Sequence, residues 1–294
     1  MAEVTAVAVT LNGLPWIERC LESLRDVETV VVDHGSTDGT LELIRERFPE
    51  VRVIEQENNG YGAGLNAGFR AASPRYYLVI NSDAWVLGDA VGRLVAFAEA
   101  HPEAAIVGPR HSNPDGSLQR TVRGFPTLWR LATEYLFLRK LAPRSRALNA
   151  FYAGGFDHGE AREVEWVMGS CFLVRREAAD AVGLFDEDFF LFCEETDWFY
   201  RFRAAGWKIW FFPGAEAVHV GGATHGGRMF TENLRGHLRW FAKHRGPREA
   251  ERARLVLLAG TRLRAVLYRG ERRRTYREAA RWLASGSAES LLRR

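Results

Sequence analysis

The sequence predicts an α/β fold in which a mixed, mostly parallel sheet is flanked by helices and followed by a basic helical extension. Short apolar runs rich in β-branched residues alternate with segments of helical periodicity, which is the pattern of βαβ units. The 294 residues are 47% hydrophobic and 26% charged, an ordinary composition for a protein with a packed core. No repeat is visible among the 28 Gly and 10 Pro, which excludes collagen-like and low-complexity structures.

The elements predicted for the first 108 residues alternate in type. The predicted strands are Val4–Thr10, Glu28–Asp33, Val51–Glu55, Tyr76–Asn81 and Ala104–Gly108. The predicted helices between them are Trp16–Arg25, Gly39–Phe48, Gly64–Ala72 and Asp89–Ala100, and their apolar residues recur at helical spacing. Ligands of such sheets bind beyond the carboxyl ends of the strands, so the residues after each strand are the candidates for a site.

The middle of the chain is less regular and the end is helical. Residues 110–163 hold a predicted hairpin turn at Pro114–Gly116, an apolar helix at Leu128–Leu141 and a Gly-rich loop at Asn149–Glu160. The elements predicted after them are a strand at Glu165–Val174, helices at Glu177–Val182 and Glu194–Ala205, and strands at Lys208–Phe212 and Ala215–Val220. From Thr231 onward the pattern is helical and basic.

Charge is distributed unevenly along the chain. Residues 235–294 contain 17 Lys or Arg and 5 Asp or Glu, whereas residues 1–234 contain 23 and 32, so a tail of charge +12 follows a body of charge −9. Apolar residues lie between the basic ones, as expected for an interfacial helix pair on an anionic membrane surface. A solvated helical hairpin packed on the body, or a dimer contact, would give the same pattern.

The number of cysteines and the lengths of the apolar runs indicate the cellular compartment of the protein. Three widely spaced cysteines, Cys20, Cys171 and Cys193, argue against a disulfide scaffold or a Cys-rich zinc site. No apolar run reaches the roughly 18–20 residues of a membrane-spanning helix, and no basic segment precedes the apolar N-terminal stretch. We therefore expect a cytoplasmic protein that is peripheral at the inner face of the cell membrane.

Polar and Gly-rich segments follow the second and third predicted strands. Asp33 ends the second strand and could accept N–H groups of a nucleobase, although a plain turn that caps the next helix would use the same residues. The segment Asn58–Gly68 would let the backbone approach a ligand, and its asparagines could bind a sugar or a phosphate. It is not a P-loop, because no Gly-Lys-Ser/Thr follows.

Carboxylates and a histidine follow later strands. Asp83, in Asn81-Ser82-Asp83, could hold a divalent cation against a diphosphate, or simply cap a helix. Glu194, Glu195 and Asp197 begin a predicted helix after an aromatic run, where a carboxylate could act as general base or only complement the helix dipole. His219 ends a strand and could ligate a metal or be structural.

The order of these segments resembles that of a known enzyme family, the inverting family 2 glycosyltransferases with the GT-A fold, and most closely its bacterial rhamnosyltransferase-like branch. The segments that carry the resemblance are Val30–Thr40, Asn58–Gly68, Asn81–Asp83, Met168–Arg175, Gly183–Asp197 and Gly206–Gly222. It covers residues 4–245 and implies a Rossmann-like glycosyltransferase domain at 1–230. This domain would combine a nucleotide-sugar-binding half at 1–109 with an acceptor-binding and catalytic half at 110–230, followed by a basic amphipathic helical tail at 231–294.

The resemblance implies roles for individual residues. Donor binding is implied for Thr10, Asn12, Asp33, Ser36, Asn59, Gly60, Asn66 and Asp83, and acceptor binding for Gly169, Asp197 and Trp198. Asp83 and His219 would hold Mg²⁺ or Mn²⁺. Glu195 stands where the family has its catalytic base, with Glu194 beside it. The chain departs from the family pattern at Asn81, where the first acid of the metal motif is missing, and at His34, where Asn is common.

The implied activity is transfer of a sugar from a nucleoside diphosphate, with dTDP-rhamnose as the first expectation and a UDP-sugar as the second. The acceptor would be a hydroxyl of a glycan or lipid-linked molecule in cell-envelope polysaccharide synthesis. Glu195 would remove the acceptor proton in one displacement that inverts the anomeric centre. We expect no nucleic-acid partner, because the tail lacks a motif for nucleic-acid recognition. A homodimer is a further possibility for the chain. The alternative is a catalytically weak scaffold that binds nucleotide sugars, which the Glu194-Glu195 departure keeps open.

Overall fold

The computed structural model describes residues 3–221 and 228–293, and twelve strands and eleven helices are assigned within them. The strands are β1 (Val4–Thr10), β2 (Glu28–Asp33), β3 (Arg52–Glu55), β4 (Tyr76–Asn81), β5 (Ala84–Leu87), β6 (Ala104–Ser112), β7 (Leu118–Gln119), β8 (Val122–Arg123), β9 (Arg162–Glu163), β10 (Trp166–Val167), β11 (Cys171–Arg175) and β12 (Lys208–His219). The helices are α1 (Ile17–Glu22), α2 (Thr40–Arg47), α3 (Tyr61–Arg70), α4 (Ala90–Ala100), α5 (Leu128–Tyr135), α6 (Arg176–Val182), α7 (Glu194–Ala204), α8 (Arg228–Arg245), α9 (Pro247–Leu267), α10 (Gly270–Ala284) and α11 (Ala288–Leu292). Gly222, the last residue of the motif Gly206–Gly222, lies outside the described residues.

The described residues form two compact units. The first comprises 3–122, 157–188 and 195–221, and the second comprises 123–156, 189–194 and 228–293. This division differs from the predicted boundary at residue 230. The physical reason lies within the second unit, where α9 packs on α5 so closely that a Cβ on Gly260 would lie 2.5 Å from the Tyr135 Cβ.

The first unit is built on a ten-stranded sheet whose main order is β3-β2-β1-β4-β11-β6-β12-β5. Strands β1 to β4 are parallel, and β6 and β12 are parallel to each other. Strand β11 lies antiparallel between β4 and β6, so six strands share one direction. The fold class predicted from the sequence is therefore confirmed, and the carboxyl ends of these six strands meet at one edge.

Several predicted elements differ in their bounds. The two strands predicted at Lys208–Phe212 and Ala215–Val220 are one strand, β12, with an irregularity between Phe212 and Glu216. The strand predicted at Glu165–Val174 divides into β10, which pairs with β8, and β11, which joins the large sheet. The helix predicted at Leu128–Leu141 ends at Tyr135, because Phe137 takes a left-handed conformation with φ 60° before a short 3₁₀ turn.

Two glycines of the segment Asn58–Gly68 let a helix pack closely on the sheet. Helix α3 begins at Tyr61, before the predicted start at Gly64, so Gly62 lies inside it together with Gly64 and Gly68. A Cβ on Gly64 would lie 2.9 Å from the Val9 Cγ2, and one on Gly68 would lie 2.3 Å from the Val7 Cγ1. These glycines are required because α3 lies directly on β1, where a close-packed interior leaves no room for a methyl group.

A buried histidine joins β6 to the start of β11. The His111 Nδ1 donates to the Pro109 carbonyl at 3.0 Å, and the Ser170 hydroxyl donates to the His111 Nε2 at 3.1 Å. Burial lowers the pKa of His111 to about 3, so the ring is neutral in the folded protein. The pair fixes Ser170, whose carbonyl accepts the Asn81 N–H at 2.9 Å.

Among residues 3–221 and 228–293, no helix combines the length and the apolar character that crossing a membrane requires.

We predict that His111 makes stability depend on pH. A folded histidine with a pKa of about 3 stays neutral where an unfolded one, with a pKa near about 6.5, takes up a proton, so the free energy of unfolding falls as pH drops below about 6.5. His111→Gln should reduce this slope between pH 6.5 and 5 by up to about 1.4 kcal/mol per pH unit, measured by urea denaturation. Ser170→Ala is the control, because it breaks the same hydrogen bond and keeps the histidine. Equal slopes in wild type and His111→Gln would contradict the prediction.

Candidate active site

Polar residues collect at the edge where the six parallel strands end. Thr10 ends β1, Asp33 ends β2, Asn81 ends β4 and His219 ends β12. Ser170 lies at the same edge, because β11 runs in the opposite direction and begins there. The sheet topology alone thus brings together residues that are up to 209 positions apart in sequence.

Asp83 and His219 form the centre of this cluster. The Asp83 Oδ1 lies 3.4 Å from the His219 Nε2, and both side chains are nearly buried. Burial raises the pKa of the Asp83 carboxyl, but the hydrogen bond and charge of His219 and the Gly221 N–H outweigh it, so the pKa lies below its usual value. Strand β5 explains the contact, since Ala84 pairs with His219 and the Val220 N–H donates to the Asp83 carbonyl.

Asn81 and Gln119 surround this pair. The Tyr61 hydroxyl donates to the Asn81 Oδ1 at 2.7 Å, and the Asn81 Nδ2 lies 3.4 Å from the His219 Nε2. On the other side of the ring, the His219 Nδ1 lies 2.9 Å from the Gln119 Oε1. Asn81 thus presents its amide nitrogen, and not its oxygen, to the histidine.

The arrangement fits a divalent cation with two protein ligands. A carboxylate oxygen and an imidazole nitrogen face each other at 3.4 Å, and both are ordinary ligands for Mn²⁺ or Mg²⁺. No group of three or more His, Cys, Asp or Glu suited to a metal occurs within residues 3–221 and 228–293. Further ligands would have to come from a bound molecule such as a diphosphate, or from water.

Asp33 is fully buried, and its own turn occupies its carboxylate. The Oδ2 accepts the N–H groups of Gly35 and Ser36, both at 2.8 Å, and the Oδ1 accepts the Ser36 hydroxyl. Asn12 ties this turn to the loop after β1, because its N–H donates to the Ser36 Oγ at 2.8 Å and its Oδ1 accepts the Thr37 N–H. The structure therefore brings Asn12, Asp33 and Ser36 into one network.

Thr10 lies at the start of that loop with its hydroxyl buried. Within the part of the chain that the structure describes, the Thr10 Oγ1 has no hydrogen-bond partner. A Cβ on Gly13 would lie 2.3 Å from this oxygen, so only glycine keeps the space beside it open. A buried hydroxyl next to such a space suits contact with a ligand.

The remaining predicted donor residues lie around the start of α3. Asn59 is exposed, and Gly60 is buried at the N-cap of α3 with φ 108°. Asn66 lies inside the helix. Its Nδ2 donates to the Phe185 carbonyl and to the Glu187 carboxylate, and its Oδ1 accepts the Phe185 N–H. The side chain of Asn66 thus holds the segment before α7, and its predicted donor contact stays a prediction.

Glu195 is the predicted base that faces this edge. A Cβ on Gly169 would lie 3.3 Å from the Glu195 Cγ, so Gly169 leaves room for the glutamate. Gly169 precedes Ser170, which is hydrogen-bonded to Asn81, two residues from Asp83. Glu195 is half-buried, whereas its neighbour Glu194 is buried, so Glu195 is the more accessible of the two to an acceptor.

The other two predicted acceptor residues are fully buried. The Asp197 Oδ2 accepts the Arg201 Nε at 2.9 Å, and the Trp198 indole donates to the Gly183 carbonyl at 2.7 Å. Trp198 packs on Phe185, with 4.2 Å between ring centroids. Both residues anchor α7 in the first unit, and their contact with an acceptor stays a prediction.

Sequence reasoning did not find Gln119, His111, Ser170 or Tyr61. The hairpin turn at Pro114–Gly116 was predicted. Pairing the residues on either side of that turn could have indicated Gln119, which lies opposite His111 across β6 and β7. Nothing in the local pattern around Tyr61 or Ser170 distinguishes them from ordinary strand and helix ends. Their role follows only from the register of β4 and β11.

Sequence and structure comparisons identify relatives. A family model described as Glycosyl transferase family 2 matches residues 5–183. The N-acetylglucosaminyl-diphospho-decaprenol L-rhamnosyltransferase of Mycobacterium tuberculosis is 34% identical over 230 residues, which are 72% of this chain and 74% of that protein. The mannosyltransferase PcManGT from Pyrobaculum calidifontis, solved with GDP-Man and Mn²⁺, is similar in structure, with a TM-score of 0.57 at 17% identity. The match covers 99% of this chain and 86% of the PcManGT chain. GalNAc-T7, solved with UDP, GalNAc and Mn²⁺, has a TM-score of 0.60 at 14% identity, and the match covers 99% of this chain and 57% of the GalNAc-T7 chain.

These matches differ in what they establish. At 14–17% identity the two solved structures establish the fold alone. The family model matches more than half of the chain and the mycobacterial relative 72% of it, and both confirm the resemblance found in the motifs. The chain is a glycosyltransferase, and it belongs to glycosyl transferase family 2.

Proposed function

We propose that this glycosyltransferase is an inverting, metal-dependent enzyme that transfers a sugar, L-rhamnose from dTDP-rhamnose first and a UDP-sugar second, to a lipid-linked or glycan acceptor in cell-envelope polysaccharide synthesis. The observation that carries the proposal is the contact of Asp83 with His219 at the edge that Glu195 also faces. The relative from Mycobacterium tuberculosis, an L-rhamnosyltransferase named for a lipid-linked N-acetylglucosaminyl diphosphate, supports the choice of sugar and acceptor.

The residues divide the reaction between them. Asp83 and His219 would hold Mg²⁺ or Mn²⁺, and the cation would neutralise the charge that develops on the diphosphate leaving group. Asn12, Asp33 and Ser36 form the turn proposed for the nucleobase, with Thr10, Asn59 and Gly60 nearby in the donor site. Glu195 accepts the proton of the acceptor hydroxyl while that oxygen attacks the anomeric carbon from the opposite face. A single displacement inverts the anomeric centre.

We predict that Asp83→Ala abolishes metal-dependent transfer while the fold is kept. Loss of several kcal/mol of charge stabilisation corresponds to a decrease in turnover of roughly 10²–10³. Transfer from dTDP-rhamnose and UDP-sugars is measured with and without EDTA, and readdition of Mn²⁺ or Mg²⁺ should restore only the wild type. Asp26→Ala, at an exposed position, is the control. Full activity of Asp83→Ala, or of wild type in excess EDTA, would exclude the metal assignment.

We predict that Glu195→Gln lowers turnover by roughly 10²–10⁴, the usual contribution of a general base, with little change in donor affinity. Glutamine keeps the shape of the side chain but cannot accept the proton. Glu194→Gln is the matched variant and should retain most activity. If Glu194→Gln is inactive and Glu195→Gln transfers normally, the base is Glu194. If both variants transfer normally, the base lies elsewhere. If the wild type binds donors but does not transfer the sugar, the chain is a scaffold that binds nucleotide sugars.

We also propose that the tail binds the anionic inner face of the cytoplasmic membrane. Helix α9 exposes Leu255, Ala259, Arg262 and Val266, spaced so that they form one stripe, and Leu255, Val266 and Leu267 are 52%, 75% and 61% exposed. Beyond them α10 exposes a run of arginines at 272–274. Apolar side chains beside clustered arginines match a surface of anionic lipid headgroups.

We predict that replacing Arg272, Arg273 and Arg274 by Gln weakens binding to phosphatidylglycerol vesicles by about 100-fold, because each basic residue contributes about 1 kcal/mol near an anionic surface. Binding is measured by vesicle sedimentation at low salt. The matched control replaces Arg45, Arg47 and Arg52 by Gln, the same charge change in the first unit. Wild type that fails to bind these vesicles would refute the membrane proposal, and light scattering would then test a dimer through the α9 stripe.

A further inference from the structure

We propose that Gln119 is a positioning residue that presents the His219 Nε2 to the cation, an inference that rests on the proposed metal site. The Gln119 side chain spans two atoms of His219. Its Oε1 lies 2.9 Å from the Nδ1, and its Nε2 donates to the His219 carbonyl at 3.2 Å. The same Nε2 donates to the Asn113 Oδ1 at 2.9 Å.

These contacts determine which end of the amide faces the ring. A backbone carbonyl can only accept a hydrogen bond, so the Gln119 atom beside the His219 carbonyl must be the nitrogen. The atom beside the His219 Nδ1 is then the oxygen, which has no proton to donate. The Nδ1 must therefore carry the proton, and in the neutral ring the Nε2 carries the lone pair.

The orientation matters because of what lies beyond the Nε2. The Asp83 Oδ1 is 3.4 Å away, so a neutral ring with its proton on Nε2 would donate to that carboxylate and block both candidate ligands. By accepting the Nδ1 proton, Gln119 disfavours the neutral tautomer that makes this internal pair, so a bound cation could take the Nε2 lone pair and the Asp83 carboxylate together. Metal-bound histidines are commonly held in this way by an acceptor at the other ring nitrogen.

The backbone around Gln119 makes the contact rigid. Gln119 pairs with His111 in the register of β6 and β7, and the Asn113 N–H donates to the Ser117 carbonyl to close the hairpin. A Cβ on Gly221 would lie 3.3 Å from the His219 Cε1 and 3.5 Å from the Gln119 Nε2, so a glycine leaves the ring and the amide in contact.

The test measures Mn²⁺ binding to the full chain, with Mn²⁺ alone as the probe and the free ion followed by electron paramagnetic resonance. Gln119→Leu should weaken Mn²⁺ binding by about 10- to 100-fold, the usual effect of removing a partner that orients a metal ligand. Gln119→Glu also loses both donated hydrogen bonds but keeps an acceptor for the Nδ1 proton, so it should bind Mn²⁺ within about 3-fold of wild type or more tightly. Asn113→Asp controls for the added charge, because it places a carboxylate one side chain away from the ring. Thermal melting confirms that each variant is folded.

The outcomes separate this inference from the proposed function. If His219→Ala weakens Mn²⁺ binding and Gln119→Leu does not, the metal site stands and the role of Gln119 is refuted. Equal weakening by Gln119→Leu and Gln119→Glu would also refute it, because the loss would then come from the hairpin contacts and not from the Nδ1 acceptor. If His219→Ala leaves Mn²⁺ binding unchanged, both the metal site and the inference fail.

Discussion

The direction of strand β11 is the constraint on which the candidate site depends. Because β11 runs antiparallel between β4 and β6, it begins at the edge where the parallel strands end, and its pairing with β4 continues in the hydrogen bond from the Asn81 N–H to the Ser170 carbonyl. That bond places Gly169, and with it Glu195, beside the segment that carries Asp83. A shift of one residue would turn every side chain of β11 to the opposite face of the sheet.

Two carboxylates at the ends of strands show how the surroundings decide what an acid can do. Asp33 and Asp83 are both nearly or fully buried, and a buried charge must be compensated. The Asp33 carboxylate is compensated by the N–H groups and the hydroxyl of its own turn. Asp83 is compensated instead by the hydrogen bond and charge of His219 and by the Gly221 N–H, and a bound cation could replace the contact with His219. The first acid organises a loop, and the second is suited to bind an ion.

The sequence predicted the parts of the fold that depend on local pattern. Strands β1, β2 and β4 were predicted with their observed bounds, because continuous β-branched runs and the polar residues after them define such strands. Strand β5 was missed because its four residues follow Asp83 directly and are stabilised by pairing with β12, which is distant in sequence. The glycines of α3 were interpreted as allowing close approach to a ligand, since close contact with a strand and close approach to a ligand select the same residue. The contact between Gln119 and His219 joins residues 100 positions apart, so no local pattern could predict it.

The basic tail illustrates the difference between composition and surface. The charge of +12 counts every arginine alike, yet several are occupied inside the second unit. Arg264 is buried and donates to the carbonyls of Tyr135 and Glu134, and Arg254 bonds the Leu283 carbonyl and the Glu251 carboxylate. These side chains join helices, because a guanidinium can satisfy several carbonyls at once. The charge available to an outside partner is therefore the exposed subset, which includes the arginines at 272–274 of α10 and Arg262 on the α9 stripe, where apolar side chains accompany it.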